Sequence, residues 1–337
     1  MKTCGLTLGK YAPFHKGHQF VFDTALAEVD ELVVLIYATD VIDIPLSVRS
    51  RWIRQLYPNV SVIECWDGPK GYSTERAYEI AEENYIIKML AGKEITHFYS
   101  SEFYGDHVSR ALGAVDRRVD TARCTVPISA TQIRNAPFDM RALVDTIVYF
   151  DMLIKVVFVG AMSTGKSTLV EALAKRYQTS FAAEYGREYW TEHQVNRRIA
   201  LHEFDLIAKG HMEREKLAAR DANKYLFVDT NAVTTFMYCQ DYHGEVTPYL
   251  QRTALENPQR YDLWFLCEDD IPYDDTWDRS GPQKRSVFQQ KIIADLLERK
   301  IPFIRLAGSL DERINTVDRV LTRFGQYSNY FGEKQLL

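Results

Sequence analysis

Cysteine is sparse in this sequence, and no two cysteines form a CxxC pair. Neither a zinc site nor a redox centre of the CxxC type is therefore indicated. The odd number and wide separation of the thiols favour free cysteines in a reducing compartment. The five cysteines are Cys4, Cys65, Cys124, Cys239 and Cys267.

A long uninterrupted apolar run is also missing. The most apolar stretch, residues 144–162, contains Asp145, Asp151 and Lys155, which argue against a membrane span. The opening MKTCGLTLG has no apolar run of signal-peptide length before Lys10. We therefore expect a cytoplasmic protein without membrane insertion.

The sequence has no excess of positive charge. It contains 41 Lys and Arg residues and 46 Asp and Glu residues, for a formal net charge of -5. No basic field for a nucleic acid follows from this balance, so small solutes are the expected partners. A hydrophobic fraction of 46% is ordinary for a globular chain. At roughly 150 residues per domain, 337 residues indicate two cores. The sequence leaves open whether the protein forms a homo-oligomer.

Short β-rich runs alternate with longer amphipathic stretches along the whole chain. This alternation predicts the α/β class, with parallel sheets that carry helices on both faces. The pattern restarts after residue 150, so we predict domains at 1–150 and 151–337. We also predict one connecting helix after Pro137 and one long helical region over about 186–222.

Two histidines follow the first predicted strand, in the stretch GKYAPFHKGH. Ligands of open α/β sheets lie beyond the carboxyl ends of strands, where helix N-termini present N–H groups to anions. Gly17 allows the backbone to approach a ligand closely, and His15 and His18 share one face of the helix start. The two imidazoles are thus candidates for contacting one phosphate, and the alternative is a pair of surface histidines on a capped helix.

A second anion-directed element is ISATQIR, residues 128–134. Ser129 or Thr131 can cap a short helix, and Arg134 supplies a charge that persists at any working pH. Two phosphate-directed elements in one predicted domain favour phosphate chemistry over surface histidines.

The second half contains GAMSTGKST at residues 160–168, a GxxxxGK[ST] motif between a predicted strand and a predicted helix. The loop N–H groups are expected to cradle ATP phosphates, while Lys166 reaches the β and γ oxygens and Ser167 holds Mg²⁺. Asp229 ends the strand YLFVD in the position of a Walker B carboxylate. The loop residues predicted to bind ATP are Gly160, Ser163, Thr164, Gly165, Ser167 and Thr168.

The polar segment EDDIPYDDTWDRSGPQKR joins a predicted strand to a predicted helix. Its basic residues Arg279, Lys284 and Arg285 make it a candidate lid that closes over a transferring phosphoryl group, and Arg279 and Arg285 are predicted ATP contacts. The alternative is a solvated loop.

The first half resembles nicotinamide mononucleotide adenylyltransferases of the NadR-like bifunctional family, whose signatures are HxGH and ISxTxxR. The resemblance implies a Rossmann-like nucleotidyltransferase domain in which the two histidines and the arginine hold ATP while a mononucleotide phosphate attacks. Such catalysis rests on positioning and charge stabilisation. The residues implied to bind or act on ATP are Gly9, Lys10, Tyr11, His15, Gly17, His18, Ser129, Thr131 and Arg134.

SVRSRWI also resembles a patch of that family, through Arg49, Arg51 and Trp52. Trp66, at the end of a predicted strand, could stack on a pyridine ring. For both tryptophans we favour packing in the core.

The second half resembles the ribosylnicotinamide kinase domain of the same family, in GAMSTGKSTLVEALAKRY, AAEYGREYWTEH, FDLIAKGH and FVDTNAVTT. This likeness implies that Glu184, Tyr185, Arg187 and Asp229 line the nucleoside and γ-phosphate site, with Asp229 or Glu184 as the base. The lid departs from the family's Pro-Trp pair, because Pro272 is followed by Tyr273. Tyr273 or Trp277 is then the candidate for stacking on the nucleoside.

The sequence thus predicts a bifunctional enzyme of NAD salvage, with Mg²⁺ as cofactor and ATP as co-substrate, acting on ribosylnicotinamide and its mononucleotide and yielding NAD. The first predicted strand begins by residue 4, so the helix-turn-helix of some family members, and DNA binding with it, is not expected. The alternatives are a nucleotidyltransferase fused to a kinase for another metabolite, or to a P-loop nucleotide sensor.

Overall fold

The computed structural model describes residues 2–69, 73, 75–102, 106–196, 198–274 and 282–325. The chain divides into two compact units, the first running through Val148 and the second beginning at Tyr149. Within the described ranges, none of the helices has the length and apolar character that crossing a membrane requires.

The first unit is built on a five-stranded parallel sheet in the order β3-β2-β1-β4-β5. Leu6 of the central strand lies opposite Val33 on one side and Phe98 on the other. All three are buried, as expected for a parallel sheet covered on both faces. The strands are β1 Cys4–Gly9, β2 Glu31–Tyr37, β3 Ser61–Cys65, β4 His97–Ser100 and β5 Val115–Arg118.

Helices connect these strands. The N-termini of the helices lie at the edge of the sheet where β1 ends. The helices are α1 Lys16–Glu28, α2 Leu46–Leu56, α3 Arg76–Leu90, α4 Asp106–Leu112 and α5 Ala130–Asn135, followed by α6 Thr146–Met152 at the junction of the units. On α3, Ile86 and Leu90 pack into the sheet's core.

The second unit repeats this architecture in the order β10-β9-β6-β8-β7, again all parallel. Phe158, Phe227 and Phe265 from three neighbouring strands form its centre, with ring centroids 6.1 and 5.4 Å from that of Phe158. The strands are β6 Ile154–Val159, β7 Phe181–Ala182, β8 Tyr225–Asp229, β9 Leu263–Cys267 and β10 Ile304–Leu306. The helices are α7 Lys166–Arg176, α8 Tyr185–His193, α9 Glu203–Ala219, α10 Ala232–His243, α11 Pro248–Glu256, α12 Pro282–Glu298 and α13 Leu310–Arg323.

The predicted α/β class with two parallel sheets is confirmed, but two helix predictions are wrong. The region 186–222 is two helices, because Val195 and Arg198 pair as a β-bridge and Asn196 takes a positive φ of 53°, which asparagine tolerates in turns. The segment after Pro137 is a 3-10 turn at Arg141–Leu143 followed by α6.

The break in that connecting segment falls at Val144, which is extended and forms an isolated antiparallel bridge with His15. One helix through this point would remove the bridge. Strand β5 was not predicted, since VDRR is mostly exposed and carries three charged residues, a composition typical of an edge strand.

Candidate active sites

The N-terminus of α1 is organised by its two histidines. His15 is the N-cap, and its Nδ1 accepts from the backbone N–H groups of Gly17 at 3.1 Å and His18 at 3.4 Å. In return, Nδ1 of His18 accepts from the backbone N–H of His15 at 3.3 Å. The spacing of three residues therefore forms a reciprocal capping box in which both ligands are imidazoles.

This capping fixes the chemical state of the two rings. Because each Nδ1 accepts a hydrogen bond, a neutral ring carries its proton on Nε2. The Nε2–H group is then the hydrogen-bond donor of each ring. Burial lowers the pKa of His15 to about 4, with Arg123 and Arg134 adding to the shift. Burial, with the adjacent His15 ring, also holds the pKa of His18 well below its usual range. The ring centroids lie 3.7 Å apart, so both donors can serve one anion.

The neutral state of these rings leads to a direct prediction. Long-range ¹H–¹⁵N spectra of the imidazoles of the protein without ligand should show the Nε2–H tautomer for His15 and His18 at pH 5.5 and above. In urea the same histidines should titrate near 6.5. As pH falls below about 6.5 the unfolded chain then takes up protons before the folded chain does, so acid should destabilise the first unit. An imidazolium signal from either residue of the folded protein at pH 6 would contradict this account.

The short helix α5 brings Arg134 to the same place. Ser129 is its N-cap and accepts from the backbone N–H of Gln132 at 3.2 Å, whereas Thr131 lies within the helix. Nη2 of Arg134 donates to Thr131 Oγ1 at 2.9 Å and Nη1 to the carbonyl of Ala12 at 2.7 Å. The guanidinium is thereby held against the loop that precedes the histidines.

These elements enclose a cavity of about 430 Å³. Its lining includes every residue predicted for this site: Gly9, Lys10, Tyr11, His15, Gly17, His18, Ser129, Thr131 and Arg134. Burial lowers the pKa of the Lys10 ammonium, with Arg134 among the cations that contribute. The cavity thus gathers cationic groups and neutral imidazole donors, which suits a polyphosphate whose charge grows during transfer.

One cation of this cavity was missed by the sequence reading. Arg123 also lines the cavity and lies 3.5 Å from Glu102, another lining residue. It precedes ISATQIR in an irregular segment and has a positive φ of 52°. The only sequence signal for Arg123 was its position as a basic residue shortly before ISATQIR.

Other predictions at this site are resolved by burial. Arg49 is 1% exposed and donates to the carbonyls of Ile44 and Tyr37, both at 3.1 Å, and to that of Lys10, so its role here is to hold the loop after β1. Trp52 is fully buried, as expected. The prediction of core packing for Trp66 is wrong, since 61% of this residue is exposed.

In the second unit, the P-loop between β6 and α7 has the backbone that the motif requires. Gly160 takes a φ of +145°, and a Cβ there would lie 2.7 Å from the carbonyl oxygen of Cys267. Gly165 is the N-cap of α7 with a φ of +78°. Thr164 Oγ1 donates to the carbonyl of Ala161 at 2.8 Å, which closes the loop on itself.

Three polar side chains of the predicted kinase site lie together at this loop. Lys166 Nζ donates to the carbonyls of Gly160 and Ala161, both at 3.0 Å. Ser167 Oγ donates to Asp229 Oδ2 at 2.6 Å. Burial, together with the charge of Glu184, raises the pKa of Asp229 to about 6. A hydroxyl and a carboxylate at this spacing are oxygen ligands of the kind that Mg²⁺ prefers.

No group of three or more His, Cys, Asp or Glu that could hold a metal ion occurs among the residues that the structure describes. A Mg²⁺ ion at Ser167 and Asp229 would therefore be completed by phosphate oxygens and water, as in other P-loop sites.

The described end of the lid contacts the P-loop. Arg285 is 8% exposed, and its guanidinium donates to the carbonyls of Ser163 at 3.2 Å and Ile271 at 3.0 Å. The backbone N–H of Asp274 donates to Ser163 Oγ at 2.8 Å. Predicted contacts Arg279 and Trp277 lie outside the described residues, and Thr168 is exposed on α7.

Beside the P-loop is a cavity of about 120 Å³. Of the predicted nucleoside residues, Glu184 and Arg187 line it, with Arg187 Nη2 lying 3.8 Å from Glu184 Oε2. Tyr185 lies elsewhere: its ring packs on Gly210, where a Cβ would overlap it, and 4.7 Å from the Arg214 guanidinium. The lining residues that the sequence reading missed are Met162, Gly186, Trp190, Ile199, Phe204, Ile207, His211, Thr230, Thr235, Tyr238 and Tyr242.

Two family models match separate parts of the chain. Residues 6–136 match a cytidylyltransferase-like model, and residues 155–313 match an AAA domain model. Two solved structures of NadR protein, one in complex with NAD and AMP-PNP and one with NR, share the fold of 99% of this chain, over 97% of their own length. Their TM-scores are 0.57 and 0.59, at 21% identity.

The fold and the family matches define a protein that joins a nucleotidyltransferase-like unit to a P-loop kinase-like unit. The trifunctional NAD biosynthesis/regulator protein NadR of Escherichia coli K12 is 32% identical over 328 residues, which is 90% of this chain and 79% of the relative. Its counterpart from Salmonella typhimurium LT2 is also 32% identical. The chain belongs to the NadR family.

Proposed function

We propose that this chain is a bifunctional enzyme of NAD salvage that converts ribosylnicotinamide to NAD in two steps. The observation that carries the proposal is that one chain of the NadR family contains both the cavity at His15 and His18 and the cavity beside the P-loop. The second unit phosphorylates ribosylnicotinamide, and the first joins the product to AMP. Because the product of one site is the substrate of the other, the fusion has a chemical reason.

In the first unit, an oxygen of the mononucleotide's 5'-phosphate attacks the α-phosphorus of ATP. The bond from that phosphorus to the bridging oxygen breaks, pyrophosphate leaves and NAD is formed. The Nε2–H groups of His15 and His18, with Arg134 and Lys10, donate to the phosphate oxygens as their negative charge redistributes. No side-chain nucleophile is needed, since the cavity positions two bound phosphates for direct attack.

In the second unit, the 5'-hydroxyl of ribosylnicotinamide attacks the γ-phosphorus of ATP and ADP leaves. Lys166 stabilises the β and γ oxygens, and bound Mg²⁺ would neutralise phosphate charge from its place at Ser167 and Asp229. Asp229, or Glu184 beside it, accepts the hydroxyl proton. The 120 Å³ cavity that Glu184 lines receives the base of the nucleoside.

We further propose a domain boundary near residue 150, a cytoplasmic location that suits five free cysteines, and small molecules as the only substrates.

A product assay tests this function. Incubated with Mg²⁺ and ATP, the purified protein should yield NAD from ribosylnicotinamide and from its mononucleotide, and excess EDTA should abolish both reactions. Mass spectrometry identifies the products. If only the mononucleotide gives NAD, the adenylyltransferase proposal stands and the kinase proposal fails.

Two alternatives have distinct outcomes in the same experiment. A nucleotidyltransferase and kinase for another metabolite would turn over other members of a nucleoside and sugar phosphate panel faster than the nicotinamide compounds. A P-loop nucleotide sensor would bind ATP without transferring phosphate to any of them. The Ser167–Asp229 pair and Lys166 favour catalysis, because their contacts complete a phosphoryl-transfer site.

A further inference from the structure

The cavity beside the P-loop is walled by aromatic rings from three helices. Trp190 comes from α8, Phe204 from α9, and Tyr238 and Tyr242 from α10. Phe204 and Tyr242 lie 6.3 Å apart, and Phe288 stacks on the outer side of Tyr238 at 4.5 Å. The rings are therefore fixed by packing in advance of any ligand.

The size of this cavity restricts its occupant. At about 120 Å³ it is well below the roughly 300–1,000 Å³ of sites for drug-sized ligands. One aromatic base with a small substituent suits such a space, whereas a whole nucleoside does not. The aromatic rings present flat faces on which a ring of that size can stack.

The charges around the cavity favour a cation at its centre. Aromatic faces are electrostatically negative and attract cations, most strongly at tryptophan. His211 adds no positive charge at neutral pH, since burial lowers its pKa to about 4. Lys166 is bonded to P-loop carbonyls, and Arg187, 47% exposed, lies beside the Glu184 carboxylate.

Tyr273 of the lid is not the aromatic residue on which a ligand ring in this cavity can stack. Its ring lies 5.3 Å from the Arg285 guanidinium, and the next residue, Asp274, is bonded to Ser163 of the P-loop. Tyr273 is also not among the residues that line the cavity.

We propose that the indole of Trp190 is the face on which the base of the nucleoside stacks, and that this face selects a positively charged ring. The inference rests on the proposed kinase function. Ribosylnicotinamide carries a quaternary ring nitrogen, so its pyridinium is a flat cation, and its 1,4-dihydro form is a neutral ring of nearly the same shape. The pair of compounds separates charge from shape.

Kinase kinetics on both compounds test the proposal. Trp190→Ala should raise KM for ribosylnicotinamide about 30-fold, equivalent to about 2 kcal/mol, with kcat within about threefold. Trp190→Phe, which keeps a weaker aromatic face, should raise it only about threefold. For the neutral dihydro form, Trp190→Ala should raise KM less than about fivefold. Circular dichroism and thermal unfolding of the same preparations check that the second unit of each variant is folded.

A spectroscopic readout is independent of turnover. Without ATP, ribosylnicotinamide bound to the wild-type protein should show an indole-to-pyridinium charge-transfer absorption that Trp190→Phe removes. Trp264→Phe is the matched control, because Trp264 lies in β9 and does not line the cavity. The band should survive that change.

The possible outcomes distinguish failure of the stacking proposal from failure of the proposed kinase function. Wild-type protein that phosphorylates ribosylnicotinamide, but whose KM and absorption band are unaffected at Trp190, would overturn the stacking role. Equal losses for the charged and neutral compounds would overturn charge selection. Failure of the wild type to phosphorylate ribosylnicotinamide at all would overturn the kinase proposal itself.

Discussion

Replacing His18 with alanine should lower adenylyl transfer to the mononucleotide by about 10²–10⁴-fold, the range for one general acid–base group or preorganised donor. The loss is expected because Nε2–H of His18 is a neutral donor aimed into the 430 Å³ cavity. Phosphorylation of ribosylnicotinamide should stay within about twofold. Both rates can be measured on one preparation, as NAD formed from the mononucleotide and ADP formed with the nucleoside.

A matched pair of variants separates the catalytic donor from the helix cap. His18→Asn keeps an acceptor near the Nδ1 position, and so retains the bond from the His15 backbone N–H, but has no donor at the Nε2 position. His18→Gln can place an amide N–H near Nε2. We expect the asparagine variant to be as inactive as alanine and the glutamine variant to recover part of the rate. Full activity in the asparagine variant would mean that only capping matters.

The phosphate sites were predictable because their signals are local. A reciprocal imidazole cap needs only four consecutive residues, and the P-loop motif needs eight. Each motif specifies its own backbone, so the structure places His15, His18, Arg134 and Lys166 where the sequence implied. The assignment of their chemical roles stays a prediction.

The nucleoside cavity could not be predicted in the same way. Its rings are dispersed over three helices, and which ring faces inward depends on packing between the helices. Tyr185 was expected in the cavity, but its ring packs on Gly210, whose lack of a side chain leaves room for it. Trp190, five residues further along α8, lines the cavity instead.

Charge and exposure account for the other differences. Arg49 belongs to a family-like patch and Trp66 ends a predicted strand, yet Arg49 is buried on backbone carbonyls and Trp66 is largely exposed. Burial is a property of the assembled unit, and single residues in a sequence do not report it. The strand alternation was recoverable because apolar runs in parallel sheets are long and continuous.

Substituting Lys166 by alanine should reduce phosphorylation of ribosylnicotinamide by about 10³-fold and leave adenylyl transfer within about twofold. The ammonium is bonded to the carbonyls of Gly160 and Ala161, at the centre of the P-loop. When ATP binds, the phosphate oxygens replace those carbonyls as its partners, and the charge stabilises the transferring group. ADP release with saturating nucleoside measures the loss.

Lys166→Met is the control for shape, because methionine has an unbranched side chain of similar length without a charge. It should be as inactive as alanine, whereas Lys166→Arg should fail through geometry, since a planar guanidinium is bulkier than the compact ammonium that the loop accommodates. If alanine or methionine at this position also abolished adenylyl transfer in a folded protein, the two sites would not act independently. The expected reciprocal pattern, with His18 variants losing one activity and Lys166 variants the other, assigns each reaction to its own phosphate site.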